Sequence, residues 1–176
     1  MSSTRTTRRV LLGSLVSMSV LSLPAQPASA SHGIDPGADN IDHTISHGQL
    51  GSSTGQLSFD WGSDRLSQGI HVWYGDGDTD VQMYEGNYGD TGWEGWTKCK
   101  NLVPAHPSRC DDFTIKLNTH NYKTASRWKS LGTHEFGHTV GLGHRTHSDD
   151  SDDNSAMRED IWPLDYDTHD LNTFDW

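Results

Sequence analysis

The segment spanning residues 132–144, GTHEFGHTVGLGH, constrains the fold and chemistry of this chain more than any other, because it combines three histidines and a glutamate with a predicted helix. Side chains suited to burial or metal binding recur every three or four residues between 128 and 142, which is the helical repeat. Residues four apart share one helix face. His134 and His138 therefore direct two imidazoles at one point, an arrangement that suits zinc.

A third ligand and a base are predicted from the same segment. Glu135 neighbours the first ligand and can reach a metal-bound water without being a ligand, which is the position of a general base. His144 would face away from His138 on a regular helix. Gly141 can end the helix in a sharp turn, since glycine tolerates positive φ, and the turn returns His144 to the metal. Three nitrogens and a water form an open, catalytic type of zinc site.

The remaining glycines of the segment need a packing explanation. Thr124 or Ser126 is expected to cap the helix at its start. Gly132 and Gly137 lie inside it, where each costs up to about 1 kcal/mol relative to alanine. We expect close packing of this helix against a sheet to account for them.

Residues 1–30 have the form of an export signal. Arg5, Arg8 and Arg9 precede an apolar run, and ASA at 28–30 has the small-residue pattern of a cleavage site. The run is shorter than the about 20 apolar residues that span a bilayer. We expect a secreted protein without stable membrane association after cleavage, exported by either the general or the twin-arginine route.

The charge balance excludes one class of partner. Residues 1–30 carry three of the thirteen Lys and Arg and none of the twenty-four Asp and Glu, which leaves a formal charge of about −14 on the rest. Such an acidic chain repels phosphate backbones, so nucleic acid is not an expected partner. Its carboxylates suit solubility and are available to calcium.

Cys99 and Cys110 are the two cysteines of the chain. In an exported protein such a pair is most simply a disulfide. It would close the loop CKNLVPAHPSRC and contribute roughly 3 kcal/mol in the chain-entropy account. The alternative is a pair of zinc ligands, but His106 alone cannot complete a tetrahedral site with them.

The rest of the chain predicts a single domain. Residues 31–56 are rich in Gly, Ser, Asp and His and indicate a flexible leader or short pro-segment. From residue 57 onward, LSFDWGSDRLSQGIHVWYG indicates a strand and a short helix. Three further strands are predicted in TDVQMYEG, GWEGWTKC and FTIKLNT. After residue 144 a polar run leads to a turn and a short closing helix.

The full pattern H-E-x-x-H-x-x-G-x-x-H, followed thirteen residues later by Met157, resembles the signature of metzincin zinc endopeptidases. It is most similar to matrixins and to the small secreted metalloproteases of actinomycetes. The resemblance implies an α+β metzincin-like catalytic domain over residues 57–176. Such a domain has a small twisted mixed sheet, an active-site helix and a short C-terminal subdomain after a methionine turn.

The resemblance also implies roles for two further parts of the chain. Met157 would support the ligands from beneath, and GWEGWTKC would be the edge strand that binds substrate. That segment could equally be an ordinary sheet strand.

The chain departs from the matrixin pattern in three ways. No histidine lies between His71 and His106, so a second, structural zinc is not expected there. The cysteine switch of matrixin pro-segments is missing. Glu159 stands two residues beyond Met157, where some metzincins have a tyrosine ligand. We therefore expect one catalytic zinc, without that extra ligand.

The sequence neither predicts nor excludes calcium binding. Asp76, Asp78 and Asp80 alternate as at the start of a calcium loop, but the rest of an EF-hand pattern is missing. A second acidic run occupies residues 149–153. Solvated acidic loops explain both runs as well.

The sequence thus predicts a secreted, monomeric zinc endopeptidase that acts on proteins or peptides. His134, His138 and His144 would hold the zinc, and Glu135 would transfer the proton of the attacking water to the leaving amine. One alternative is a secreted zinc-binding or inhibitory module without turnover, although binding zinc would not require Glu135. Another is a metal-dependent hydrolase of a non-peptide substrate, for which the extended substrate edge would have no purpose.

Overall fold

The computed structural model describes residues 36–145 and 154–175, so the predicted signal of residues 1–30 and the acidic run 149–153 lie outside it. The described chain confirms the predicted α+β class. Its strands are β1 (Gly37–Ala38), β2 (Asp42–Gln49), β3 (His71–Tyr74), β4 (Val81–Gly86), β5 (Gly95–Val103) and β6 (His106–Asn118). Its helices are α1 (Ser53–Leu66), α2 (Ala125–Thr139) and α3 (Thr168–Asn172).

The strands form one mixed sheet in the order β1-β6-β4-β2-β3, with β5 on the other side of β6. All pairings are parallel except that of β5 with β6. Among the strands described, β5 pairs only with β6, so its outer edge is open. The strands predicted in TDVQMYEG, GWEGWTKC and FTIKLNT are confirmed as β4, β5 and β6.

The predicted disulfide is confirmed. Cys99 and Cys110 are bonded, with their Cα atoms 5.8 Å apart, and link β5 to β6. The enclosed segment is a hairpin, which extends both strands beyond their predicted lengths. The disulfide therefore fastens the open edge strand to its neighbour β6.

The core lies between one face of the sheet and the two long helices. Val81 and Met83 of β4 and Ile115 of β6 are fully buried, as strand alternation predicts. Phe59 of α1 and Phe136 of α2 pack in the same cluster, with ring centroids 6.0 Å apart. Within the described ranges, no helix is both long and apolar enough to cross a bilayer.

The expectation of a flexible leader over residues 31–56 is wrong for the part that the structure describes. Residues 42–49 form β2, which lies inside the sheet between β3 and β4. Ile45 is the single large aliphatic residue of β2, and the other buried positions are His43 and Ser46. The polar composition of β2 therefore did not indicate a strand. Its hydrogen bonds are supplied by β3 and β4, which lie on either side of it.

Helix α1 also differs from the expectation of a strand followed by a short helix. It starts at Ser53, before the predicted domain boundary at 57, and precedes β3.

The buried stripe of α1 includes Ser58 and Gly62, which let α2 approach closely. Ser58 Oγ donates a 2.7 Å hydrogen bond to the carbonyl of Trp128, and a Cβ on Gly132 would overlap the carbonyl of Ser58. Gly132 is thus explained by packing against α1 rather than against the sheet.

Asp175 fastens the end of the described chain to its beginning. The Ala38 amide donates to the Asp175 carbonyl at 3.2 Å, and the Asp175 amide donates to the Val140 carbonyl at 2.8 Å. Its carboxylate lies 2.6 Å from Nη1 of Arg109. One residue therefore contacts β1, β6 and the end of α2.

Candidate metal centre

Helix α2 and the turn that follows it position the candidate ligands. Thr124 caps the helix, because its hydroxyl accepts a 3.2 Å hydrogen bond from the Arg127 amide. The helix ends at Thr139 with Val140 as its C-cap, and Gly141 has φ +78°. The Leu142 amide donates back to the Gly137 carbonyl at 3.1 Å. This hydrogen bond and the positive φ of Gly141 form a Schellman motif at the C-terminus of the helix. The chain reverses where the glycine pattern predicts.

The three predicted histidines come together. Nε2 of His134 lies 2.9 Å from Nε2 of His144 and 3.2 Å from Nε2 of His138. His134 and His138 are buried, and His144 is half-buried. Their ligand atoms form a group that could hold a metal ion.

The opposite ring nitrogens fix the orientation of each imidazole. His134 Nδ1 donates to the Ala156 carbonyl at 2.9 Å, and His138 Nδ1 donates to the Leu142 carbonyl at 2.7 Å. A carbonyl can only accept, so both rings carry hydrogen on Nδ1, and in the neutral form each has its Nε2 lone pair for a ligand at the centre. His144 Nδ1 lies 2.9 Å from Oε1 of Glu159. This is how outer-shell acceptors hold metal-binding histidines.

The donor set fits a tetrahedral metal ion. Zinc–nitrogen bonds of about 2.0–2.1 Å place neighbouring ligand nitrogens roughly 3.3 Å apart in a tetrahedron, close to the separations of 2.9 and 3.2 Å here. Neutral imidazoles are ligands of zinc and of several other transition metals, so the set is consistent with zinc.

Met157 lies under α2, next to the histidine face. It is fully buried, and a Cβ on Gly137 would overlap its Sδ. Its amide donates to Ser155 Oγ at 3.0 Å, and its carbonyl accepts from the Arg145 amide at 3.0 Å. Gly137 is thus explained by its packing against Met157 rather than against the sheet. The supporting role of Met157 beneath a metal stays a prediction.

Tyr166 supports the same helix from the C-terminal segment. Its hydroxyl donates a 2.6 Å hydrogen bond to the Thr133 carbonyl. Burial raises the pKa of Tyr166 well above its ordinary value, and the negative charges of Asp170 and Glu135 raise it further. The phenol consequently remains protonated and keeps donating.

Glu135 is held by a residue that sequence reasoning missed. Thr97 Oγ1 of β5 lies 2.6 Å from Oε2 of Glu135 and 3.0 Å from the Glu135 carbonyl. Both residues are buried. Thr97 is 38 positions away in sequence, and no local pattern signals such a contact.

An aromatic side chain borders the histidines. The centroid of the Trp162 ring lies 5.8 Å from that of His134. The Arg127 guanidinium stacks on Trp162 and forms a 2.7 Å ion pair with Glu94. Burial lowers the pKa of Arg127, and Glu94 opposes that shift.

The structure gives no support to calcium at residues 76–80. Asp80 Oδ2 accepts from the Thr44 amide at 2.7 Å, so it holds β2. Within the described ranges, the other group with metal-ligand spacing is Asp167, His169 and Asp170. Arg145 lies 2.6 Å from Asp167 and 3.1 Å from Asp170, so these carboxylates already have a cationic partner.

Comparisons with known proteins give distant likenesses. No family model matches the chain, and no curated protein matches it. One solved structure of myroilysin aligns with 58% of this chain at 14% identity and a TM-score of 0.36, and the aligned part spans about half (48%) of that protein's chain. A crystal structure of myroilysin aligns with 78% of this chain and 83% of its own at 11% identity and a TM-score of 0.48. Likenesses at these values carry no inference about function.

Proposed function

We propose that this protein is a secreted zinc endopeptidase of the metzincin type, resembling matrixins, that acts as a monomer on proteins or peptides. The observation that carries the proposal is the convergence of three histidine Nε2 atoms, that of His134 lying 2.9 Å from His144 and 3.2 Å from His138, with Glu135 adjacent on α2. A binding site alone needs the histidines. A hydrolytic site also needs a base, and the buried, hydrogen-bonded Glu135 suits that role.

His134, His138 and His144 would hold the zinc. When bound, the zinc supplies Lewis acidity, which polarises the scissile carbonyl and makes water acidic enough to attack at neutral pH. Glu135 accepts the proton of the attacking water and delivers it to the leaving amine. Thr97 holds the Glu135 carboxylate in place through both steps.

The open edge of β5 favours an extended polypeptide as substrate. An unpaired edge can add a strand through main-chain hydrogen bonds, and β5 contacts Glu135 through Thr97. A peptide bond in a strand added to this edge would therefore lie beside the base. The disulfide on the same strand suits an exported protein.

The test compares the wild-type protein with Glu135→Gln on a denatured protein substrate, with and without a zinc chelator. We expect both proteins to bind about one zinc, and only the unchelated wild type to cleave. Equal cleavage by Glu135→Gln would refute the role of the base. Zinc binding without cleavage of any protein or peptide would instead support the alternative, a secreted zinc-binding or inhibitory module.

A further inference from the structure

We propose that the enzyme prefers substrate chains with acidic side chains close to the cleaved bond, and that a lysine face on β5 and β6 selects them. The lysine face consists of Lys98, Lys100 and Lys116 around Trp96. This inference rests on the proposed function and adds a substrate class to it.

The lysine face lies on the strand that contacts the base. Thr97 points inward to Glu135, so its neighbours Trp96 and Lys98 point to the opposite, exposed face of β5. Lys116 of β6 is the direct partner of Trp96 in the antiparallel pairing. The ammonium groups of Lys98 and Lys116 lie 5.9 and 5.2 Å from the centre of the Trp96 ring.

These side chains surround a shallow depression rather than a flat surface. It has a volume of about 290 Å³. Its lining includes Trp96, Lys98, Lys100, Thr114 and Lys116. A carboxylate entering it would have ammonium groups on more than one side.

The positive charge of the lysine face contrasts with the rest of the molecule. The chain has five lysines, and three of them are here, although the protein is strongly acidic. Lys100 has a distant acidic partner, Asp112, at 4.0 Å. In the part of the chain that the structure describes, Lys98 and Lys116 contact aromatic rings and form no ion pair. Two cationic groups therefore remain to attract an anion.

An extended substrate on the open edge of β5 would present every second side chain to this face, because strand side chains alternate. The other side chains would point toward α2 and the histidines. Carboxylates on alternate residues near the cleaved bond would thus lie beside Lys98 and Lys116.

The test uses a denatured mixture of proteins of known sequence, with the cleaved bonds identified by mass spectrometry. Wild type is compared with Lys98→Gln/Lys116→Gln and with Lys129→Gln. Lys129 is a matched control, because it also stacks on a tryptophan, Trp61, at 3.9 Å, but belongs to α2. Zinc content and circular dichroism check that each variant is folded and loaded.

We expect Asp and Glu to be enriched at alternate positions near the bonds cleaved by wild type, by about two- to five-fold per position, the range of an exposed ion pair. The enrichment should vanish in the double variant, persist in Lys129→Gln, and weaken in about 0.5 M salt. Cleavage without enrichment in wild type overturns the inference, as does unchanged enrichment in the double variant. Failure of wild type to cleave anything counts against the proposed function itself.

Discussion

Thr97 of the edge strand donates a 2.6 Å hydrogen bond from Oγ1 to Oε2 of Glu135, the proposed base on α2. The strand that would bind the substrate backbone therefore also fixes the group that would move its proton. In this arrangement, one rigid element sets the distance between the base and the bound peptide. Positioning of this kind matters because small displacements of a reacting group slow chemistry strongly.

Thr97→Val removes the hydroxyl while conserving the shape of the side chain. We expect kcat to fall roughly ten-fold or more, since a hydrogen bond to a charged group contributes about 1.5–3 kcal/mol, while KM and zinc content stay near wild type. Thr97→Ser keeps the donor and should retain most activity. A Thr97→Val enzyme with wild-type kcat would show that the hydroxyl does not position Glu135.

Glu159 should determine how tightly the metal is held, because its carboxylate lies 2.9 Å from Nδ1 of His144. We expect Glu159→Ala to weaken zinc binding by about 10- to 100-fold, the usual effect of removing an outer-shell partner. Glu159→Gln retains an acceptor and should lose less. Competition against a chromophoric chelator measures both affinities, and equal affinities for Glu159→Ala and wild type would contradict the prediction.

Gly137→Ala should destabilise the fold, because the added methyl group would overlap Met157 Sδ in a buried site. The expected loss in the free energy of unfolding is about 1–3 kcal/mol, typical of overpacking. Gly143→Ala is the control, since a Cβ there has no atom within 4 Å among the neighbours described. Urea unfolding of the two variants checks this, and equal midpoints would argue against close packing at Gly137.

His43 should make stability depend on pH. Burial lowers the pKa of His43 below its ordinary value of 6.5, although Asp80 and Asp39 oppose the shift. As pH falls through about 6.5, the unfolded chain takes up a proton that the folded chain binds more weakly, so the free energy of unfolding decreases. Above that range His43 contributes no pH dependence.

The effect can be isolated with His43→Leu. Urea unfolding of wild type and variant at pH 5, 6 and 7.5 gives the difference between their unfolding free energies at each pH, in which contributions from the other histidines cancel. We expect this difference to shift in favour of the variant as pH falls. A pH-independent difference would mean that His43 titrates alike in both states.

The sequence predicted the elements whose pattern is local. Alternation identified β4 and β6, the helical repeat identified α2, and Gly141 indicated the turn that returns His144 to the other histidines. It did not predict β2, because its burial depends on strands that pair with it from distant parts of the chain. It also missed the extent of α1, whose buried stripe includes Gly and Ser, weak helix formers that here serve close packing.

The parts of the site that sequence reasoning missed are contacts between distant segments. Thr97 reaches Glu135 across 38 positions, and Glu159 reaches His144 from the segment after Met157. Glu159 was noted only as a replacement for a tyrosine ligand. Its contact with His144 depends on how two loops meet, which spacing does not encode.

The hydrogen bonds of Asp175 couple the local unfolding of two segments that are remote in sequence, β1 and the turn after α2. Its amide is bonded to the carbonyl at the end of α2, and its carbonyl accepts from Ala38 in β1. Breaking either bond loosens the other, so release of the first strand and loosening of the turn before His144 belong to one cooperative unit. The amide hydrogens of Ala38 and Asp175 should therefore exchange with solvent at similar rates, and occupation of the histidines by metal should slow both.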